Sequence, residues 1–204
     1  MADGNPRLVL ASGSRFRRQL LEAAGLVFDV DPADIDEAAL RAELGRKNPR
    51  LDPAEVALRL AEAKALAVSR RHAGAWVIGA DQILACEGEI FAKPGSMAVA
   101  REHVARLSGQ THRLHSAIAL VRNGDVHWST VETALMTMRA LSQNEIERYL
   151  AAAGPGICDT VGAYEFERLG AQLFEKVDGD QATIIGVPVL ALLRALRDRR
   201  FQLP

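Results

Sequence analysis

Ser12, Ser14, Arg17 and Arg18 stand close together near the start of this chain, in the stretch Ala-Ser-Gly-Ser-Arg-Phe-Arg-Arg-Gln-Leu-Leu from Ala11 to Leu21. The apolar run Leu8-Val9-Leu10 precedes them. A strand that empties into a hydroxyl-rich turn and then a helix leaves backbone N–H groups free at the helix start, where the peptide dipoles add partial positive charge. Two arginines can fork onto phosphate oxygens while the hydroxyls donate to others, so the stretch reads as an anion site. A plainer use stays open beside it, with Ser14 capping a helix over Phe16–Ala24 and both arginines solvated.

Other chemistry-bearing residues lie further along. Asp31-Pro32-Ala33-Asp34-Ile35-Asp36-Glu37 is either an exposed acidic loop or a place to hold a divalent cation on carboxylate oxygens. Asp81 follows the apolar run Trp76–Ala80, Lys93 stands before Pro94, and Lys64 lies beside the apolar face of an alanine-rich helix. Carboxylates for a cation and cations for phosphates are what phosphoryl or nucleotidyl hydrolysis needs, because its catalysis is positioning plus charge neutralisation. The P-loop pattern G-x-x-x-x-G-K-S/T, the Rossmann pattern G-x-G-x-x-G and the nucleophile elbow G-x-S-x-G are all missing.

The elements that must position these residues alternate along the chain. After the first strand and helix, Val27–Val30 predicts a second strand, and residues 38–50, polar and broken by Gly45 and Pro49, predict a surface connection. Asp52-Pro53-Ala54-Glu55 supplies an N-cap, a proline at N1 and a glutamate at N3 for a helix running to about Arg71. Val56, Leu60, Ala63 and Ala67 share its core face. Lys64, next to that face, reads as a snorkelling surface lysine unless the helix lines a cleft. The all-apolar Trp76–Ala80 suggests a strand in a sheet covered on both sides, with Asp81 just beyond its C-terminal end, where open α/β sheets place their chemistry. Ile83–Cys86 continues the strand, Glu87-Gly88 turns it, and Glu89–Ala92 returns to Lys93, which is expected near Asp81.

Downstream, Ser96 caps a helix over Met97–Leu107 closed by Gly109. Gln110–Leu120, an Asn123-Gly124 hairpin turn, Val126–Trp128 and Val131–Arg139 read as strands. His112 and His115 are three apart in the first of these, so they face opposite ways and are not a metal pair. Ser142-Gln143-Asn144-Glu145 is a capping box for a helix to Ala153. Residues 156–170 are irregular and hold Tyr164, Glu165, Glu167 and Arg168, Ala171–Val177 reads as a strand, and Thr183–Pro188 feeds a last helix to about Arg200.

Composition sets the surroundings. At 204 residues with a formal net charge of -1, the chain can bury a sizeable core but offers no bulk attraction to nucleic acid or to an anionic membrane. Cys86 and Cys158 show no C-x-x-C or zinc spacing and read as reduced thiols. Residues 1–6 lack a basic start and an apolar core, and no run approaches about 18 apolar residues, so a cytoplasmic protein with no membrane partner is expected.

Taken in order, the motifs resemble the Maf family of nucleoside triphosphate pyrophosphatases, whose fold is related to the inosine triphosphate pyrophosphatases. The resemblance runs through Leu10-Ala11-Ser12-Gly13-Ser14 with Arg17-Arg18-Gln19-Leu20-Leu21, then Asp36-Glu37, Glu62-Ala63-Lys64-Ala65, Gly79-Ala80-Asp81-Gln82 and Lys93-Pro94. It continues through Leu107–His112, Gly162-Ala163-Tyr164 and Ile185-Gly186-Val187-Pro188. It implies hydrolysis of a nucleoside triphosphate to monophosphate and pyrophosphate with Mg²⁺ or Mn²⁺. On the matching positions, Ser12, Ser14, Arg17, Arg18, Lys64 and Lys93 would hold the triphosphate. Glu37 and Asp81 would serve the metal, and Asp81 would be the proton acceptor.

Within the family, one branch resembles dTTP/UTP pyrophosphatases and carries Ser-Pro-Arg-Arg, Asp-Thr and a late Gln. A second resembles 7-methyl-GTP pyrophosphatases and carries Ser-Pro-Trp-Arg-Arg, Asp-Gln and a late Glu. This chain has Ser14-Arg15-Phe16-Arg17-Arg18, Asp81-Gln82 and Glu167, nearer the second branch, with Arg15 for the proline and Phe16 for the tryptophan. A carboxylate accepts from the N1–H and N2–H₂ edge of guanine, whereas the carbonyls of uracil or thymine would face it acceptor to acceptor. Phe16 stacks a cationic methylguanine or fills the core under its helix, and Glu167 reads a base or pairs with Arg168 or Arg17.

The expectation is therefore one α/β domain over residues 1–204, an elongated mixed central sheet flanked by helices, with a cleft between two lobes. The expected activity is nucleoside triphosphate pyrophosphohydrolysis, with 7-methyl-GTP preferred. A dTTP/UTP pyrophosphatase and a non-catalytic nucleotide-binding regulator of cell division are the alternatives, and a homodimer follows only from the resemblance.

Overall fold

The apolar triplet near the start forms β1 (Leu8–Leu10), buried throughout and paired in parallel along both its edges. On one side lies the short β2 (Asp29–Val30), with Leu10 opposite Val30, and on the other β3 (Trp76–Cys86), with Leu10 opposite Ile78. The structure, a computed structural model, describes residues 6–203, so the reading of residues 1–5 lies outside it. The remaining strands are β4 (Glu89–Phe91), β5 (Thr111–Arg122), β6 (Asp125–Met138) and β7 (Phe174–Asp178). The sheet has seven strands in the order β2-β1-β3-β5-β6-β7, with β4 antiparallel on β3. It is mixed and flanked by helices, as expected.

The chain divides into two compact units: residues up to Gln82 with Ser116–Glu132 and those from Gly186 onward, and Ile83–His115 with Thr133–Ile185. In the first, α1 (Arg15–Ala23), α2 (Glu37–Lys47), α3 (Pro53–Ser69) and α7 (Val189–Asp198) accompany β1 and β2. Gly79 on β3 lets α3 lie against the strand, since a Cβ there would stand 2.1 Å from the Ala61 carbonyl oxygen and 2.8 Å from the Ala65 Cβ. Two alanines facing a glycine bring helix and strand backbones unusually near.

The second unit contains α4 (Met97–Leu107), α5 (Gln143–Ala153), α6 (Gln181–Ile185) and 3₁₀ turns over Pro155–Asp159, Val161–Ala163 and Leu169–Leu173. Leu84, Phe91, Val104, Leu107, Leu114, Met136, Met138, Ile146 and Leu150 form its core. Ser96 caps α4, and Ser142 with Glu145 makes the full capping box on α5. Two aromatic groups meet inside it, with a His112 ring nitrogen 2.7 Å from the Tyr164 hydroxyl.

Several expectations change. Residues 38–50 are mostly helix, because Asp36 accepts from the Ala39 N–H at 2.8 Å, Glu37 opens the first turn and Arg46 and Lys47 close the last. The strand runs to Cys86 as the continuation through Ile83–Cys86 predicts, but without a break, so Asp81 sits inside β3 rather than beyond its end, just past the stretch that pairs in parallel with β1. The strand pieces on either side of Trp128 are one strand, β6. On α3 the buried side is Val56, Ala57, Leu60, Ala61, Lys64, Ala65 and Val68, while Ala63 and Ala67 are half-buried.

Candidate active site

β1 releases the chain at Ala11, whose N–H donates to the Ile78 carbonyl at 2.8 Å and holds the turn beside β3. Ser14 takes the capping role, with its hydroxyl accepting from the Arg17 N–H at 3.4 Å. The buried Ser12 hydroxyl accepts from the Ser14 N–H at 3.3 Å, so the turn is hydrogen-bonded within itself.

The two arginines part company. Arg17 turns inward: its Nε donates to the Gly186 carbonyl at 3.2 Å, and its Nη1 donates to the Ala80 carbonyl at 2.8 Å and to the Ser12 hydroxyl at 3.2 Å. Burial works against its charge, and the fields of Asp81 and Glu37 support it. Arg18 stays exposed and pairs with Glu22 one turn on, 2.7 Å away. Phe16 is half-buried with the Arg15 guanidinium 4.5 Å over its ring.

α3 delivers Lys64 to the strand. The side chain expected to snorkel is buried, with Nζ 2.6 Å from Asp81 Oδ1 and 2.9 Å from Glu37 Oε1. The close approach at Gly79 places it there, and a lysine at that depth needs anionic partners. Asp81 is only 5% exposed, so burial pushes its carboxyl above the ordinary range, while Lys64 and Arg17 pull it back.

Of the acidic run Asp31–Glu37, it is Glu37, the first residue of α2, that turns to this cluster. Asp31 is held by Arg71 and His72, which keep its carboxyl below the ordinary range, and Asp36 caps α2. Glu37 reaches Lys64. Among the described residues no three His, Cys, Asp or Glu side chains gather as a ready metal cage. The oxygens of Glu37 and Asp81 nevertheless suit a hard cation of the Mg²⁺ type, which keeps waters and takes one or two carboxylates together with substrate phosphates.

The structure thus joins Ser12, Arg17, Glu37, Lys64 and Asp81 within the first unit. Gln82 also belongs there, donating from Nε2 to the Ser116 hydroxyl at 2.9 Å. Lys93 and Glu167 are exposed residues of the second unit, and there Arg168 pairs with the buried Glu165 at 3.3 Å. Sequence reasoning gives no role to Ser116, to Gly186 or to the Ala80 carbonyl. Only a small-residue run, Gly79-Ala80, and a glycine after Ile185 hint that backbone atoms are used at these points.

The fold offers two polar sets on neighbouring chain segments: a hydroxyl turn braced by a guanidinium, and a buried ammonium between two carboxylates. They suit a polyanion and the water that attacks it. Comparison with known proteins agrees. A 7-methyl-GTP pyrophosphatase of Mesorhizobium japonicum is 50% identical over 191 residues, covering 94% of this chain and 95% of that protein. A nucleoside triphosphate pyrophosphatase of Nitrobacter hamburgensis is 49% identical over 192 residues, covering 94% and 93%. A solved HAM1 protein from Coxiella burnetii superposes with a TM-score of 0.42 at 15% identity over 68% of this chain and 75% of that one, too slight a likeness to argue from. The model of the Maf-like protein family matches residues 7–199, and with these identities along nearly the whole length, the chain belongs to that family.

Proposed function

We propose that this chain is a nucleoside triphosphate pyrophosphatase, a hydrolase that cleaves the α–β anhydride bond to give a nucleoside monophosphate and pyrophosphate, with 7-methyl-GTP as its preferred substrate. The observation that carries the reading is the buried Lys64 ammonium shared by Asp81 and Glu37. Burying Lys64 and Asp81 together costs two desolvations that close packing alone does not call for, whereas hydrolysis of a polyphosphate uses the ammonium and both carboxylates. The names of the relatives above point the same way.

Asp81 accepts the proton of the attacking water. Burial, which raises its affinity for a proton, makes it a better acceptor near neutral pH than an exposed aspartate. Lys64, Ser12 and Ser14 meet phosphate oxygens, and Arg18 adds charge from the exposed side of α1. Glu37 and Asp81 would hold Mg²⁺ or Mn²⁺, which when bound neutralises phosphate charge. Lys93 as a phosphate ligand, and Phe16, Gln82 and Glu167 as readers of the base, enter from the family resemblance and from the donor pattern of guanine. A cytoplasmic setting accords with Cys86 and Cys158 being free thiols, and no helix among the described residues is long and apolar enough to cross a membrane.

The test is pyrophosphate release from 7-methyl-GTP, GTP, dTTP, UTP and CTP with Mg²⁺ or Mn²⁺, on wild type, Asp81→Asn and Glu167→Gln. The reading requires activity that Asp81→Asn abolishes, and a 7-methyl-GTP preference that Glu167→Gln weakens. Preference for dTTP or UTP would overturn the base assignment and keep the chemistry. Silence across the panel would leave a nucleotide-binding protein without catalysis.

A further inference from the structure

Arg17 is one of the two arginines that family resemblance assigns to the triphosphate, yet three of its donor bonds are already made inside the chain. A guanidinium has five N–H donors, and a bidentate grip on phosphate takes two different nitrogens along one edge of the fork. Here Nε is bonded to the Gly186 carbonyl, and Nη1 to both the Ala80 carbonyl and the Ser12 hydroxyl. Every edge of the fork includes one of these two nitrogens, so a bidentate grip would break a bond that exists.

We infer that Arg17 is a positioning residue for the proposed hydrolysis, acting through Ser12, the Ala80 carbonyl and Gly186. Each acceptor is next to a working part. Ala80 immediately precedes Asp81, so the bond to its carbonyl fixes the peptide that carries the acceptor carboxylate. Ser12 also receives the Ser14 N–H, which ties the hydroxyl turn to the same guanidinium. At Gly186 the backbone has φ +115°, and a Cβ would stand 3.4 Å from Arg17 Nε and 3.6 Å from Gln82 Cδ. A glycine there lets the carbonyl come within reach of the arginine beside Gln82. A lysine keeps the charge, but a single ammonium nitrogen cannot serve acceptors arrayed around two nitrogens of a planar fork.

This rests on the hydrolase reading, and its test separates the two. Arg17→Lys is compared with wild type for kcat on the preferred nucleotide and for the Kd of inorganic pyrophosphate by calorimetry. A positioning role predicts a kcat lower by about 100-fold, the size of effect a small misplacement of reacting groups produces, with Kd kept within about threefold. A Kd weakened about tenfold or more, or a kcat within about threefold of wild type, overturns the inference. If Arg17→Lys does not fold, Gly186→Ala leaves the guanidinium in place and carries the same expectation. If wild type releases no pyrophosphate, the hydrolase reading fails and hydrogen exchange decides. Exchange of the Gly186 and Val187 amides about tenfold faster in Arg17→Lys supports the brace, and unchanged exchange overturns it.

Discussion

The Lys64 ammonium lies 2.6 Å from the Asp81 carboxylate, and both side chains are buried. Such a pair gains its Coulomb energy at the expense of two desolvations, so losing one partner is worse than losing both. Lys64→Met is expected to destabilise the protein by about 3 kcal/mol in urea unfolding, because Asp81 stays behind without its nearest cation. Lys64→Met combined with Asp81→Leu should return to within about 1 kcal/mol of wild type, while remaining inactive. The sign with pH follows. In Lys64→Met the native Asp81 holds its proton more tightly than the unfolded chain does, so that variant's deficit grows as pH rises from acid toward neutral. A double variant less stable than Lys64→Met alone would show that the pair is not what sets the stability of this region.

The pair exists because α3 and β3 come close at Gly79. A Cβ added there meets the Ala61 carbonyl oxygen at 2.1 Å, a backbone atom that cannot rotate away. Gly79→Ala is expected to cost about 2–4 kcal/mol and, by lifting α3, to remove Lys64 from Asp81 and suppress pyrophosphate release. Gly45 in α2 is the control, since a Cβ there meets nothing within 4 Å. Gly45→Ala should be neutral or stabilise by up to about 1 kcal/mol. Equal urea midpoints for the two variants would remove the close approach from the account.

His112 in the second unit supplies a pH dependence of its own. It is fully buried, one ring nitrogen meets the Tyr164 hydroxyl at 2.7 Å, and Nδ1 has no partner among the described residues. Burial lowers its pKa from 6.5 to about 4. Between those values the unfolded chain binds the proton and the native protein does not, so stability falls as pH drops through that window and is flat above it. The loss by pH 4 should be about 3 kcal/mol from this group, at about 1.4 kcal/mol per unit. Urea unfolding of His112→Gln should show a correspondingly smaller slope, and an identical slope would assign the effect elsewhere.

These residues also show which parts of the site a sequence carries. Ser14, Ser96, Asp52-Pro53 and Ser142 with Glu145 act on backbone groups within a few residues, so their caps were legible. α2 was not, because it buries no residue and so shows no apolar stripe for a period to reveal. Lys64 lies 17 residues from Asp81 and Arg17 lies 169 from Gly186, and nothing local marks either partner. Glu37 stands out from its acidic neighbours only after Arg71 and His72, 40 and 41 residues on, have taken Asp31. The motifs mark the candidate residues, and tertiary contacts divide them into those that meet around Lys64 and those that do not.

That division bears on metal binding. The oxygens suited to Mg²⁺ or Mn²⁺ belong to Glu37 and Asp81, and the Lys64 ammonium sits on one oxygen of each. An ammonium and a divalent cation repel strongly at such range, so without nucleotide the wild type should hold Mn²⁺ weakly. Lys64→Gln keeps a hydrogen-bonding side chain but removes the charge, and it should bind Mn²⁺ about tenfold tighter, a difference of about 1.4 kcal/mol. With a non-hydrolysable triphosphate analogue present the gap should narrow, because phosphate oxygens draw the ammonium to themselves. The electron paramagnetic resonance signal of free Mn²⁺ reads each affinity directly, independently of turnover. Equal Mn²⁺ affinities for wild type and Lys64→Gln without nucleotide would mean that the ammonium and the cation do not compete for these carboxylates.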